Sequence, residues 1–102
     1  MATNTPKALY RGAASTTTTT TLYTVPSSTT TIITNILVAN TSSSAQTFTL
    51  GLDGVSIATT VQIAANSIAT FDIKQVLATT KTITGGASAT SVTFHISGVE
   101  VA

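Results

Sequence analysis

Apolar residues in this chain recur at every second position over short runs, and turn-forming residues set the runs apart. A period of two marks strands that bury one face. The longest run is Thr31 to Asn40, TIITNILVAN. Simple alternation puts Ile32, Ile36 and Val38 on one side of it and Ile33, Leu37 and Ala39 on the other, so both faces are apolar and both need covering. A second sheet is expected on one face; a loop, a terminal arm or a neighbouring subunit is expected on the other. From Gln46 to Asp53, Phe48, Leu50 and Leu52 point inward while Thr47, Thr49 and Gly51 point outward. Asp53-Gly54 then reads as a tight hairpin turn. Val55 to Ile57 begins the return strand and Val61 to Ile63 continues it, with a kink or a change of sheet expected at Ala58-Thr59-Thr60. Ile68 to Ile73 places Ala69, Phe71 and Ile73 on one face.

The remaining segments carry weaker patterns. Leu22 to Val25 reads as a strand that the Thr16–Thr21 run leads into, with Pro26 ending it. Lys74 to Leu77 suits one helical or 3₁₀ turn with Val76 and Leu77 plugging the end of the core. Thr80 to Thr84 is a short strand, and Gly85-Gly86 reads as a loop. In the last strand, Ser91 to Val101, Val92, Phe94 and Ile96 share a face, but the next apolar residues, Val99 and Val101, have the opposite parity. A β-bulge at Ser97-Gly98, with Gly98 left-handed, would supply that shift. Residues 1–15 show no period, and the segment 1–18 is read as an extended N-terminal arm or a free tail preceding one domain at 19–102. Seven to eight short strands without an amphipathic helix define an all-β fold, a single antiparallel β-sandwich of immunoglobulin-like or jelly-roll type.

Composition narrows the function more than any motif does. Only 7% of the 102 residues are charged, and the net charge is +1; globular domains usually carry about 25% charged residues. Lys7, Arg11, Lys74 and Lys81 are scattered, which argues against phosphate-driven nucleic-acid binding. Threonine makes up about a quarter of the chain; its β-branched stem favours strands and its hydroxyl keeps an outer face polar. A surface so poor in charge resists association weakly. No apolar stretch is long enough to cross a bilayer. The opening MATNTPKALYRG has no long apolar segment after its basic residues, so no secretory leader is expected and folding in a cytoplasm is. There is no cysteine, which excludes disulfides and thiolate metal sites.

Chemistry-bearing residues are few. His95 is the lone histidine and falls by parity on a polar strand face with Thr93 and Ser97, without the partners that a metal site or a triad requires. Asp53, Asp72 and Glu100 lie in three separate elements, so no carboxylate pair for glycoside cleavage is expected. Nucleophile-elbow, phosphate-loop and zinc-helix motifs are all missing. Asn40-Thr41-Ser42 fits the glycosylation pattern that a Ser/Thr-rich chain produces by chance. The chain is therefore read as non-enzymatic, with no cofactor and no metal. A carbohydrate-binding module is the competing class. It lacks tryptophan, and Phe48, Phe71 and Phe94 fall on core faces, which leaves Tyr10 and Tyr23 as its only aromatics.

Two segments carry a resemblance. Leu22-Tyr23-Thr24-Val25-Pro26, followed by the strand ending Val38-Ala39-Asn40-Thr41, together with Leu52-Asp53-Gly54 and the closing His95-Ile96-Ser97-Gly98-Val99-Glu100-Val101, resemble a family of small β-sandwich virion proteins of tailed bacteriophages, over roughly residues 20 to 102. The resemblance implies a structural protein of the virion, assembled in the host bacterial cytoplasm: a head decoration (cement) protein that binds the major capsid protein and stabilises the shell through contacts between subunits. The alternative it leaves open is a neck, tail or adsorption component that binds the host surface, including its carbohydrate. It also implies a homo-oligomer, with a trimer favoured. The residues expected to meet partners are Leu9, Tyr10 and Arg11 of the arm, and Tyr23.

Overall fold

A computed structural model describes residues 3–102 and is an antiparallel β-sandwich of nine strands. They are β1 (Asn4–Ala13), β2 (Thr21–Thr24), β3 (Thr30–Asn40), β4 (Gln46–Leu52), β5 (Val55–Ile63), β6 (Ser67–Phe71), β7 (Gln75–Leu77), β8 (Thr82–Ala87) and β9 (Val92–Val101). One sheet has the order β1-β9-β3-β6, with β7 also pairing with β3; the other has the order β2-β8-β4-β5. The expected sandwich is present, with strands added at two places. Asn4–Ala13, read as an arm, is the edge strand β1, paired with β9 along its whole length. Gln75–Leu77, read as a helical turn, pairs with Thr31–Ile33 of β3 as β7. Leu77 does enter the core, but Val76 points to solvent.

The two sheets close on aromatic and aliphatic side chains. Phe48 of β4 stands 6.0 Å from Phe71 of β6 and 6.3 Å from Phe94 of β9, tilted and edge-on. Such geometries add to the area that these rings bury. Leu50, Ile33, Ile36, Val38, Ile83, Val92 and Ile96 fill the space around them. The Asp53-Gly54 hairpin forms as expected, with φ of 55° and 75°, the pair of positive values that a type I′ turn requires. The kink expected at Ala58–Thr60 is real and leaves β5 on β4 throughout. The pairing loses register between Phe48 and Leu50 and again between Leu50 and Gly51, with Thr60 at a positive φ of 50°.

The register shift in the first sheet is not where the parity of β9 places it. Gly98 is not left-handed, and β9 runs straight. The shifts lie in its two neighbours, between Ala8 and Tyr10 of β1 and between Ile33 and Asn35 of β3. Thr34, the extra residue of β3, donates its hydroxyl to the Ser97 carbonyl at 3.1 Å. That bulge moves Thr31 and Ile33 onto the inner face with Ile36, Val38 and Asn40, all five buried. Ile32, Leu37 and Ala39 are thereby turned outward together, which corrects the simple alternation. In β1 the bulge lets consecutive residues turn toward the core: Leu9 is buried, and the Tyr10 ring lies across Gly12. Gly98 is required for close approach. A Cβ there would press on the Ile32 carbonyl oxygen and stand 2.8 Å from Leu9 Cδ1.

Gly85 and Gly86, read as a loop, are buried inside β8 for a similar reason. A Cβ on Gly86 would collide with the carbonyl oxygens of Thr17 and Ser15. The threonine run is not a strand before Thr21. Its chain lies along the upper edge of β8, where Ala87 N–H donates to Ser15 O at 2.8 Å and Gly85 N–H to Thr20 O at 2.9 Å.

Gly98→Ala is expected to lower stability by about 2 kcal/mol or more, because a backbone carbonyl cannot yield as a side chain can. Gly12→Ala in the same strand pair, where the nearest atom is Tyr10 Oη at 3.5 Å, is expected to change stability little. Urea unfolding of the two variants checks the contrast.

Candidate functional site

Among the described residues, the buried side-chain polar atoms find partners within the sandwich itself, with Ser91 Oγ as the exception. Tyr23 of β2 reaches across to the other sheet, where its hydroxyl donates to the Glu100 carboxylate and accepts from Thr31 Oγ1 at 2.8 Å. Glu100 also meets Lys7 Nζ of β1 at 3.4 Å. Four strands from both sheets are joined through these side chains. Lys7 is half-exposed, so its ion pair adds at most about 1 kcal/mol, and the Tyr23 hydrogen bonds carry more. Burial, then the hydrogen bond to Glu100, push the Tyr23 hydroxyl up from 10.0 to about 12. This is a latch, not an activated group: a phenol held neutral over the whole physiological range is neither a base nor a nucleophile there.

Asn40 is a second buried polar anchor. Its Nδ2 donates to Ser44 O at 2.9 Å, Ala64 O at 3.1 Å and Ile63 O at 3.2 Å, and its Oδ1 accepts from Ser42 N and Ser42 Oγ. An amide committed inward in this way cannot serve as a glycosylation acceptor without unfolding the turn. Asp53 pairs with Lys81 at 3.6 Å and Asp72 with Lys74 at 3.3 Å, both at the surface. His95 lies on the outer face of its sheet between Arg11 and Leu37. Among the described residues no three His, Asp or Glu side chains gather as a metal site would need.

The residues expected to meet partners divide sharply. Leu9 and Tyr23 are core residues, 7% and 9% exposed, which takes them off the surface. The bulge turns Leu9 inward, and Tyr23 is inward by strand parity. Tyr10 is half-buried at the sheet edge, its hydroxyl donating to Ala13 O at 2.8 Å. Arg11 alone of the four is exposed, beside His95.

A different surface emerges from the register. On the outer face of the first sheet, Pro6, Val99, Ile32 and Val76 stand side by side across β1, β9, β3 and β7. Further along, Leu37 lies between His95 and Thr70, and Ala39 between Thr93 and Ile68. Val76 is 68% exposed and Ile68 64%. None of the nine strands lies over this face, since both sheets of the sandwich are already paired with each other. Its sequence signal was the opposite parity of Val99 and Val101, which marks outward apolar residues on a straight strand. The outer face of the second sheet differs. There Thr18, Thr19, Thr49, Gly51, Gly54, Ser56 and Thr84 line a groove of about 360 Å³ with hydroxyls and no charge.

The shifted Tyr23 makes a pH prediction. A raised folded-state value contributes stability that is fully present below pH 10 and lost as pH climbs through 12, because the unfolded chain gives up this proton first. Wild type should lose roughly 2–3 kcal/mol across that window from this group, and Tyr23→Phe should remove that part of the alkaline decline while costing about 1–2 kcal/mol at neutral pH. Urea titrations at pH 9, 11 and 12 on both proteins measure it. No protein family and no curated protein sequence matches this chain.

Proposed function

We propose that this protein is a non-enzymatic structural component of a tailed-bacteriophage virion, a head decoration protein that binds the major capsid protein and strengthens the shell as a homo-oligomer. The observation that carries an assembly role is the outer face of the first sheet. The long strand β3 is apolar on both sides, and the N-terminal segment, one of the covers expected for its outer side, is used instead as the edge strand β1. The row Pro6, Val99, Ile32 and Val76 is thus left for another subunit. Contiguous apolar area of this kind on a small domain marks an interaction surface. The low charge supports the same reading, because such a face meets neighbours without desolvating ions. The phage assignment is supported by the resemblance of the Leu22–Pro26 and His95–Val101 segments to small virion proteins.

Immunogold electron microscopy of intact virions with an antibody against this chain tests the assignment. Gold over the head is the expected result. Gold confined to the neck or tail would replace the decoration reading with an adsorption role, and absence of label with an antibody proven on free protein would remove the virion reading altogether.

A further inference from the structure

The sandwich is open along one side. Val55, Ile57 and Val61 of β5 are 66%, 44% and 38% exposed, although Val55 pairs with Leu52 and Val61 with Phe48, residues whose side chains point into the core. These three belong to the inner layer, and the opposite sheet does not extend over them. Between the sheets at this point is an apolar notch of about 100 Å³ lined by Leu50, Ile57, Ala58, Phe71 and Ile73. It is several times the ~30 Å³ share of a water molecule and lined by carbon, so an aliphatic side chain suits it better than water does.

The edges of the two sheets are defended unequally. Edge strands are commonly kept from pairing by charge, proline, bulges or shortness. β1 carries Pro6, Lys7 and Arg11; β2 has four residues, β6 five and β7 three, with Asp72 and Lys74 between the last two. β5 has nine residues, VSIATTVQI, with no charge and no proline. Its two bulges are its only defence, and they leave Val55-Ser56 and Val61–Ile63 as regular segments at either end. The sequence is also self-complementary. Laid antiparallel on a copy of itself about Thr59, it sets Val55 against Ile63, Ile57 against Val61 and Ser56 against Gln62, and no like charges meet.

We propose that β5 is a contact between two copies of this chain, related by a two-fold axis near Thr59. Each copy covers the inner-layer residues that the other leaves open. The interface is isologous, the same strand on both sides. A single strand pair lies at the small end of specific interfaces, so free protein self-associates only at high concentration, and the ordered array of a shell would favour the pair. This contact is separate from the outer face of the first sheet and does not depend on the virion assignment.

The chain has no cysteine, so one introduced thiol reports the geometry. Thr59→Cys, next to the axis, should give a disulfide-linked dimer under mild oxidation, at least tenfold more than Ser43→Cys, an exposed thiol in the turn between β3 and β4, outside both proposed surfaces. Adding Ile57→Lys, which sets an ammonium group against the apolar Val61 of the other copy, should reduce the crosslink at least tenfold. Ile57 is already part-exposed, and circular dichroism and urea unfolding establish that the variant is folded. In sedimentation velocity the unmodified protein should move from monomer to dimer as concentration rises, and Ile57→Lys should remain monomeric. The proposal is overturned by a monomer up to about 1 mM, where association would be worth under about 4 kcal/mol. It is equally overturned by any oligomer, a trimer included, that Ile57→Lys leaves unchanged, or by equal crosslinking at positions 59 and 43.

Discussion

The whole arrangement depends on one constraint of parity. A sheet packed on another must present apolar residues on a single face along its full length, and β3 cannot do so as a regular strand. Its best core residues sit at odd positions before Thr34 (Thr31, Ile33) and at even positions after it (Ile36, Val38, Asn40). One extra residue at Thr34 reconciles the two halves. The neighbour β1 makes the same correction at Leu9, so both flanks of β9 bulge opposite its Ile96–Gly98 segment. Gly98 makes this possible, since the crowding beneath it by Ile32 O and Leu9 leaves no room for a side chain.

The bulges also decide what faces outward, which links fold to function. Once Thr31 and Ile33 are inside, Ile32 must lie outside, in line with Val99 and Val76. A surface patch has therefore been set by a packing requirement of the core. The Tyr23–Glu100–Thr31 cluster lies on the inner side of the same end and joins the sheets there. Polar groups buried with partners hold position better than apolar contacts alone, because any slippage would leave a desolvated carboxylate unpaired. The end of the sandwich that presents the apolar row is thus held by directional bonds, while the far side along β5 is closed by little more than aliphatic contact.

Where one period held over a whole element, residues could be placed from the sequence. Phe48, Leu50 and Leu52 inward, Asp53-Gly54 as a hairpin, and Ala69, Phe71 and Ile73 on one face all follow from alternation and turn chemistry, and all hold. The irregularities were sensed but assigned to the wrong strand. Opposite parity at Val99 and Val101 signals either a shift in β9 or outward apolar residues on a straight strand, and only the pairing partners distinguish these. Gly85-Gly86 reads as a turn by composition, yet the glycines are there to let Ser15–Thr20 pass close over β8. That is a long-range reason, invisible to local pattern. The same limit affected the candidate partner residues. Leu9 lies in an aperiodic stretch whose burial depends on a bulge opposite β9, and Tyr23 sits in a short strand whose inward side is fixed by a carboxylate at position 100.

The polar chemistry of the described residues is committed largely to holding the fold together. Tyr23 is held neutral by burial and a bond to Glu100, and Asp53 and Asp72 are paired with lysines at the surface. What the chain leaves unsatisfied is apolar area, spread over the outer face of one sheet and the open side of the other. Free-energy gain from such surfaces requires only a neighbour of matching shape. Apart from Ser91 Oγ, the buried polar side-chain atoms of the described residues are paired within the fold, while apolar area stays open on the outside, and it is on this contrast that the proposed association rests.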